Sequence, residues 1–168
     1  RSINDSYLSN KEKDLIKHDI DEEISVVVKE LGHHLKEMGT IYTEKWVESD
    51  RLVKLEKESI FVPIHGKLDL VVDQGNGLKV FDYKTAQAKS INEIKGETKN
   101  SDGNYFRQLV FYKILMESDS RWKMKKIDLY LAFIKPDKKD RLAIVGLEVE
   151  DSDKKKVLED IDSLVKSV

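Results

Sequence analysis

The sequence predicts an α/β (α+β) domain with a central mixed β-sheet flanked by helices. Three observations lead there. An apolar stripe at three- and four-residue steps opens the chain, two period-two runs flank DQGNG at 73–77, and a helix, a hairpin and a helix follow.

In order, Ile24, Val27, Val28, Leu31, Leu35, Met38 and Tyr42 recur at helical spacing, predicting one long helix from about Asp21 to Trp46. SNKEKDLIKH predicts a shorter helix before it. His33 and His34 fall in the long helix and point about 100° apart, so they read as boundary histidines rather than a joint ligand pair.

From 59 to 72, Ile60, Val62, Ile64, Gly66, Leu68, Leu70 and Val72 share one parity, with Pro63, His65, Lys67 and Asp69 on the other. That pattern is a strand with one buried face, near a sheet edge where Pro63 is tolerated. DQGNG accepts positive φ and LKVFDYK resumes the β pattern, so the two runs form an antiparallel hairpin. Residues 85–104 are polar, a long loop with a short helix at SINEIK. YFRQLVFYKILMES is helical, IDLYLAFIKP and RLAIVGLEVE form a second hairpin across KPDKKD, and a helix over 153–166 closes the chain. The expectation is one domain over 1–168, with a helical N-terminal part at 1–50 and a motif-bearing core at 56–134.

At 168 residues, 37% charged and 39% hydrophobic, the chain is long enough for a real core and too apolar for disorder. It contains no membrane-length apolar run and no signal-peptide core, which predicts a soluble intracellular protein. Cysteine is absent, so any metal must bind oxygen or imidazole. The net charge of -2 requires nucleic-acid contact to be local or delivered by a partner. The opening Arg1-Ser2 reads as a cloning remnant on a piece of something longer.

Side chains alternate along a strand, so Asp82 and Lys84 share a face about 7 Å apart, and the hairpin brings Asp69 beside them. Two carboxylates and an ammonium suit a Mg²⁺ site for phosphodiester hydrolysis, the carboxylates holding the cation and the lysine stabilising charge on the phosphate. Alone, Asp-x-Lys is weak evidence, occurring also at Asp137/Lys139 and Asp153/Lys155, and the three residues equally fit a structural salt bridge. On the following helix, Gln108 and Tyr112 stand at i and i+4, placed to meet DNA backbone or to brace the metal ligands.

GKLD, VFDYKT and QLVFY together resemble the G-x-x-D, D-Y-K-T and Q-x-x-x-Y series of RecB-type nucleases in the PD-(D/E)XK superfamily, across roughly residues 56–134. The resemblance is strongest to the nuclease domain at the C-terminus of UvrD/RecB/AddA-like helicases. It implies a restriction-endonuclease-like core, with Asp69, Asp82 and the Tyr83 carbonyl as ligands of Mg²⁺ or Mn²⁺, Lys84 as the catalytic lysine, and Gln108 and Tyr112 as the accessory motif. Glu58 is similar to the acid that precedes G-x-x-D in these nucleases, although its parity is opposite to that of Asp69. Arg107, Lys89, Lys95 and Lys99 border the predicted site as candidates for nucleic-acid contact. WKMKK (122–126) and KPDKKDR (135–141) read as solvated surface.

Two departures stand out. The family's upstream ligand histidine has no match in LGHHLKEM, and Ala86 replaces the usual Gly after D-Y-K-T. His65 shares the parity of Asp69 but lies roughly 13 Å away along the strand, a rim position. Without cysteine there is no iron-sulfur cluster.

The function implied is a deoxyribonuclease, exonucleolytic on single-stranded DNA delivered by helicase motor domains of the same polypeptide or complex, in nucleoid-associated repair or recombination. A second reading keeps the fold as a catalytically inactive module for DNA binding or protein docking.

Overall fold

A computed structural model describes residues 7–35, 39–135 and 143–167. The elements are α1 (Asn10–His34), β1 (Thr40–Lys54), β2 (Ser59–Asp73), β3 (Gly77–Gln87), α2 (Ile91–Lys95), α3 (Asn104–Ser118), β4 (Lys126–Lys135), β5 (Ala143–Leu147) and α4 (Asp151–Lys166). The strands form one mixed sheet in the order β1-β2-β3-β4-β5, antiparallel except for the β3/β4 pair. The expected central mixed sheet with flanking helices is therefore present.

The N-terminal part differs from expectation. A single helix, α1, replaces the predicted short and long pair; Ser9 and Glu12 form its capping box, which fixes the start well upstream of Asp21. The helix ends at His34, and residues 40–46, assigned to it from the spacing of Tyr42, belong to a strand. TIYTEKWV is rich in β-branched and aromatic residues, and pairing with β2 decides the matter. Gly39 admits this entry, because a Cβ there would collide with the Asp73 carbonyl. Met38 and the KPDKKD turn lie outside the described residues, apart from Lys135.

Two apolar layers sandwich the sheet. On one face α3 and α4 cover Val47, Leu68, Val71, Leu78, Val80, Leu129, Leu131 and Phe133. On the other, Leu31 and Leu35 meet Leu70, Val72 and Phe81. The expected single parity of β2 is thus corrected: Leu68 faces α3, whereas Leu70 and Val72 face α1. Alternation slips at Asp69, opposite Glu44, which takes a positive φ of 53° and leaves the β1–β2 ladder between Thr43↔Leu70 and Lys45↔Leu68.

Strands β2 and β3 pair only from Leu70↔Phe81 to Asp73↔Leu78. Beyond that rung they diverge, and the remainder of β2 pairs with β1 alone as a long two-stranded arm. Arg51 on the arm binds both carboxylate oxygens of Asp162 on α4, at 3.1 and 3.0 Å.

Gly66 lets α3 approach the sheet closely. A Cβ at this position would lie 2.9 Å from Leu115 Cδ1 and 3.4 Å from Tyr112 Cε1, both on buried side chains. Gly66→Val is expected to cost about 1–3 kcal/mol through overpacking, measured by urea unfolding. Unchanged stability would mean that α3 withdraws freely.

Candidate active site

The fork between β2 and β3 is where the polar residues of the hairpin meet. At Asp69 the backbone ladder has stopped, and the carboxylate itself accepts the Tyr83 amide, Tyr83 N–H to Asp69 Oδ2 at 2.9 Å. One step back along β3, Asp82 turns toward α3 and is only 2% exposed, the one buried charged residue among those described. Two steps further, Lys84 returns to the same face, its Nζ 2.5 Å from Asp82 Oδ2.

Helix α3 closes the constellation. Lys84 Nζ donates to Gln108 Oε1 at 2.6 Å, and Gln108 Nε2 donates to the Tyr112 hydroxyl at 2.7 Å. An ammonium can only donate, so the Gln108 amide is fixed with its oxygen toward Lys84. The Tyr112 hydroxyl has one proton and two acceptors near it, Lys67 O at 3.1 Å and Asp82 Oδ1 at 3.3 Å. Asp82, Lys84, Gln108 and Tyr112 thus form a closed polar ring at the sheet–helix interface. Gln108 and Tyr112 brace the ring from the i, i+4 positions expected of them.

Burial pushes the Asp82 carboxyl above the usual aspartate range; Lys84 opposes this and the nearby Asp69 reinforces it. Burial, and next the charge of Asp82, push the Tyr112 phenol up to about 12, which keeps it a protonated donor. The Tyr83 phenol, packed toward α1, is raised by burial and by Asp69.

The donor set fits a hard cation. Asp82 Oδ2 is buried yet receives no well-aligned hydrogen bond; its partner is the Lys84 ammonium, an ion contact. Asp69 binds the Tyr83 N–H through Oδ2 alone among the hydrogen bonds of the described residues. No cluster of three or more His, Asp or Glu ligands exists among the described residues. Two carboxylates with a backbone carbonyl suit Mg²⁺, which retains several waters.

Glu58 is a correction. It lies in the β1–β2 turn, its carbonyl accepting Leu55 N–H at 2.8 Å, and eleven residues of extended strand, roughly 36 Å, separate it from Asp69. It does not join the carboxylates, because that length of strand lies between them. The candidate cations disperse. Lys89 Nζ sits 4.7 Å over the Tyr105 ring, Lys95 sits 5.2 Å over the Phe106 ring, Arg107 binds Asn104 Oδ1 at 2.9 Å, and Lys99 is exposed in the loop after α2.

Tyr105 was missed. Lys84 Nζ lies 4.8 Å and Lys89 Nζ 4.7 Å from its ring centroid, so the aromatic ring flanks the lysine of the polar ring. The signal was present: 105, 108 and 112 are i, i+3 and i+7, one stripe of α3.

A family model described as the PD-(D/E)XK nuclease superfamily matches residues 4–168. No curated protein matches the chain. A crystal structure of SSO0001 is similar at 20% identity with a TM-score of 0.44, over 83% of this chain; the chain spans 58% of that protein's length. None of the described helices is long and apolar enough to cross a membrane.

Proposed function

This chain belongs to the PD-(D/E)XK nuclease superfamily, and on that premise we propose that it hydrolyses DNA phosphodiester bonds with Mg²⁺ or Mn²⁺. The observation that carries the reading is the closed ring of Asp82, Lys84, Gln108 and Tyr112 abutting Asp69. A structural salt bridge needs only its two ions, whereas here two further side chains are spent orienting one lysine.

Asp69, Asp82 and the Tyr83 carbonyl would hold the cation, which when bound supplies Lewis acidity, neutralising phosphate charge and making water a better nucleophile. Lys84, released in part from Asp82, offers its ammonium to the phosphate oxygens as charge builds on them. Gln108 keeps that ammonium aimed, since its oxygen remains fixed by Tyr112. Tyr112 stays protonated and holds Asp82 Oδ1, leaving Oδ2 as the ligand atom. Tyr105 limits the sideways travel of Lys84.

The finer reading is a module that digests single strands fed to it by an attached helicase during repair or recombination. Its support is the order and spacing of GKLD, VFDYKT and QLVFY. The test is incubation of end-labelled single-stranded DNA with the protein and Mg²⁺ or Mn²⁺, with fragments resolved on a gel. Cleavage that falls about 10²–10⁴-fold in Lys84→Ala is expected. Cleavage indifferent to that change would sink the assignment, and DNA binding without any turnover would favour the inactive-module reading.

A further inference from the structure

The contacts of Lys84 differ in kind. Its Nζ donates to Gln108 Oε1 at 2.6 Å, lies 4.8 Å from the Tyr105 ring centroid, and stands 2.5 Å from Asp82 Oδ2. The first is a hydrogen bond, whereas the last is an ion contact, because Oδ2 receives no aligned donor. Gln108 is itself anchored, its Nε2 donating to the Tyr112 hydroxyl at 2.7 Å. The ammonium is thus tied to α3 and only leans on the carboxylate. Parting it from Oδ2 costs coulombic attraction and no aligned hydrogen bond.

We propose that Lys84 is a built-in counterion that restrains metal loading: its ammonium and a divalent cation compete for Asp82 Oδ2, and one enters as the other leaves. The inference rests on the nuclease reading and deepens it by naming what regulates the site. Oδ2 is the contested atom because Oδ1 already faces the Tyr112 hydroxyl at 3.3 Å. The side chain of Asp82 is 3% exposed and that of Lys84 13%, so little solvent screens the pair. Two positive charges at one such oxygen repel each other strongly.

The exchange also ties the metal to the phosphate. An ammonium can only donate, and in giving up Oδ2 it gains a free donor for a phosphate oxygen, while Gln108 keeps it beside the fork. Charge runs the same way. Asp69, Asp82 and Lys84 together leave one negative charge, and a divalent ion turns this into one positive charge, the match for a phosphodiester. An anion that draws Lys84 off Oδ2 therefore raises metal affinity, and the metal raises affinity for that anion by the same factor.

The test is Mn²⁺ binding by the whole chain without nucleic acid, followed through the electron paramagnetic resonance signal of the free ion. Lys84→Met and Lys84→Gln should each lower the Kd about 10- to 100-fold, the scale on which groups beside metal ligands tune affinity, although both lose cleavage. Lys84→Gln offers Asp82 an amide donor, which keeps the test open where Lys84→Met fails a thermal melt. Lys89→Met, which removes the other lysine at the Tyr105 ring, should leave the Kd nearly unchanged. Unchanged or weaker Mn²⁺ binding in the Lys84 variants would overturn the counterion role and leave the nuclease reading standing. An equal gain in Lys89→Met would also overturn it, since any nearby positive charge would then suffice. No Mn²⁺ binding by wild type or variants would bring down both.

Discussion

Asp82→Asn is expected to abolish metal-dependent cleavage and, in the same molecule, to raise the melting temperature of the metal-free protein near neutral pH. The first effect follows from removing an anionic ligand at the centre of the ring, and should reach about 10³-fold in rate. The second follows from burial, which holds the Asp82 carboxyl above its ordinary range despite Lys84. A carboxyl raised in the folded chain takes up a proton on folding. Its contribution to stability is therefore full below the usual aspartate pKa and is lost as pH rises through the raised value. Near neutral pH the wild type carries a buried charge that Asn does not.

Asparagine can keep an oxygen toward Lys84 and donate to the Tyr112 hydroxyl, which donates in turn to Lys67 O. The difference in melting temperature should shrink as pH falls into the carboxylate range, where Asp82 is itself neutral. Added Mg²⁺ or Mn²⁺ should stabilise the wild type and leave the variant unmoved. Thermal melts across pH, with and without metal, check both halves. A variant less stable than the wild type at every pH would show that the Lys84 contact outweighs the burial.

Phe133→Ala is expected to cost about 3–5 kcal/mol, the range for a fully buried aromatic, and to reduce cleavage beyond what instability explains. Phe133 stands opposite Lys84 in the parallel β3–β4 ladder, and its ring packs against Tyr105 at 6.2 Å and 56°. Removing it takes away the support of the residue that flanks the lysine. Phe81→Ala is the matched comparison, since Phe81 is equally buried but lies on the opposite face, stacked on Tyr130 at 4.8 Å. Urea unfolding of both, with rates measured where each remains folded, separates the effects. Equal residual activity in the two variants would deny Phe133 any part in holding the site.

The hairpin of β2 and β3 and helix α3 were legible in the sequence because each rests on short-range periodicity, whereas the grouping of Asp82, Lys84, Gln108 and Tyr112 was implied by the motif resemblance. Alternation along β3 puts 82 and 84 on one face, and helical spacing puts 108 and 112 on another. What periodicity cannot see is a choice made by a distant partner. Tyr42 fits the end of a helical stripe as well as the start of a strand, and only pairing with Val71 on β2 decides between them. The slip at Asp69 was hidden for the same reason: a change of face in mid-strand leaves each apolar residue apolar and alters only which layer it meets. Glu58 was misplaced because likeness of order along the chain was read as nearness in space.

The exchange of a backbone acceptor for a side chain at the fork also bears on how such a protein can decay. Elsewhere in a sheet the rungs are blind to sequence, every residue offering the same amide and carbonyl. At Tyr83 the rung is written in the genetic code, because its amide is satisfied by the carboxylate of Asp69. A lineage that drifts toward inactivity can discard Lys84 and lose only chemistry. One that discards Asp69 orphans an amide in the sheet as well. Silent descendants of this chain should therefore be found more often with the lysine gone than with this aspartate gone.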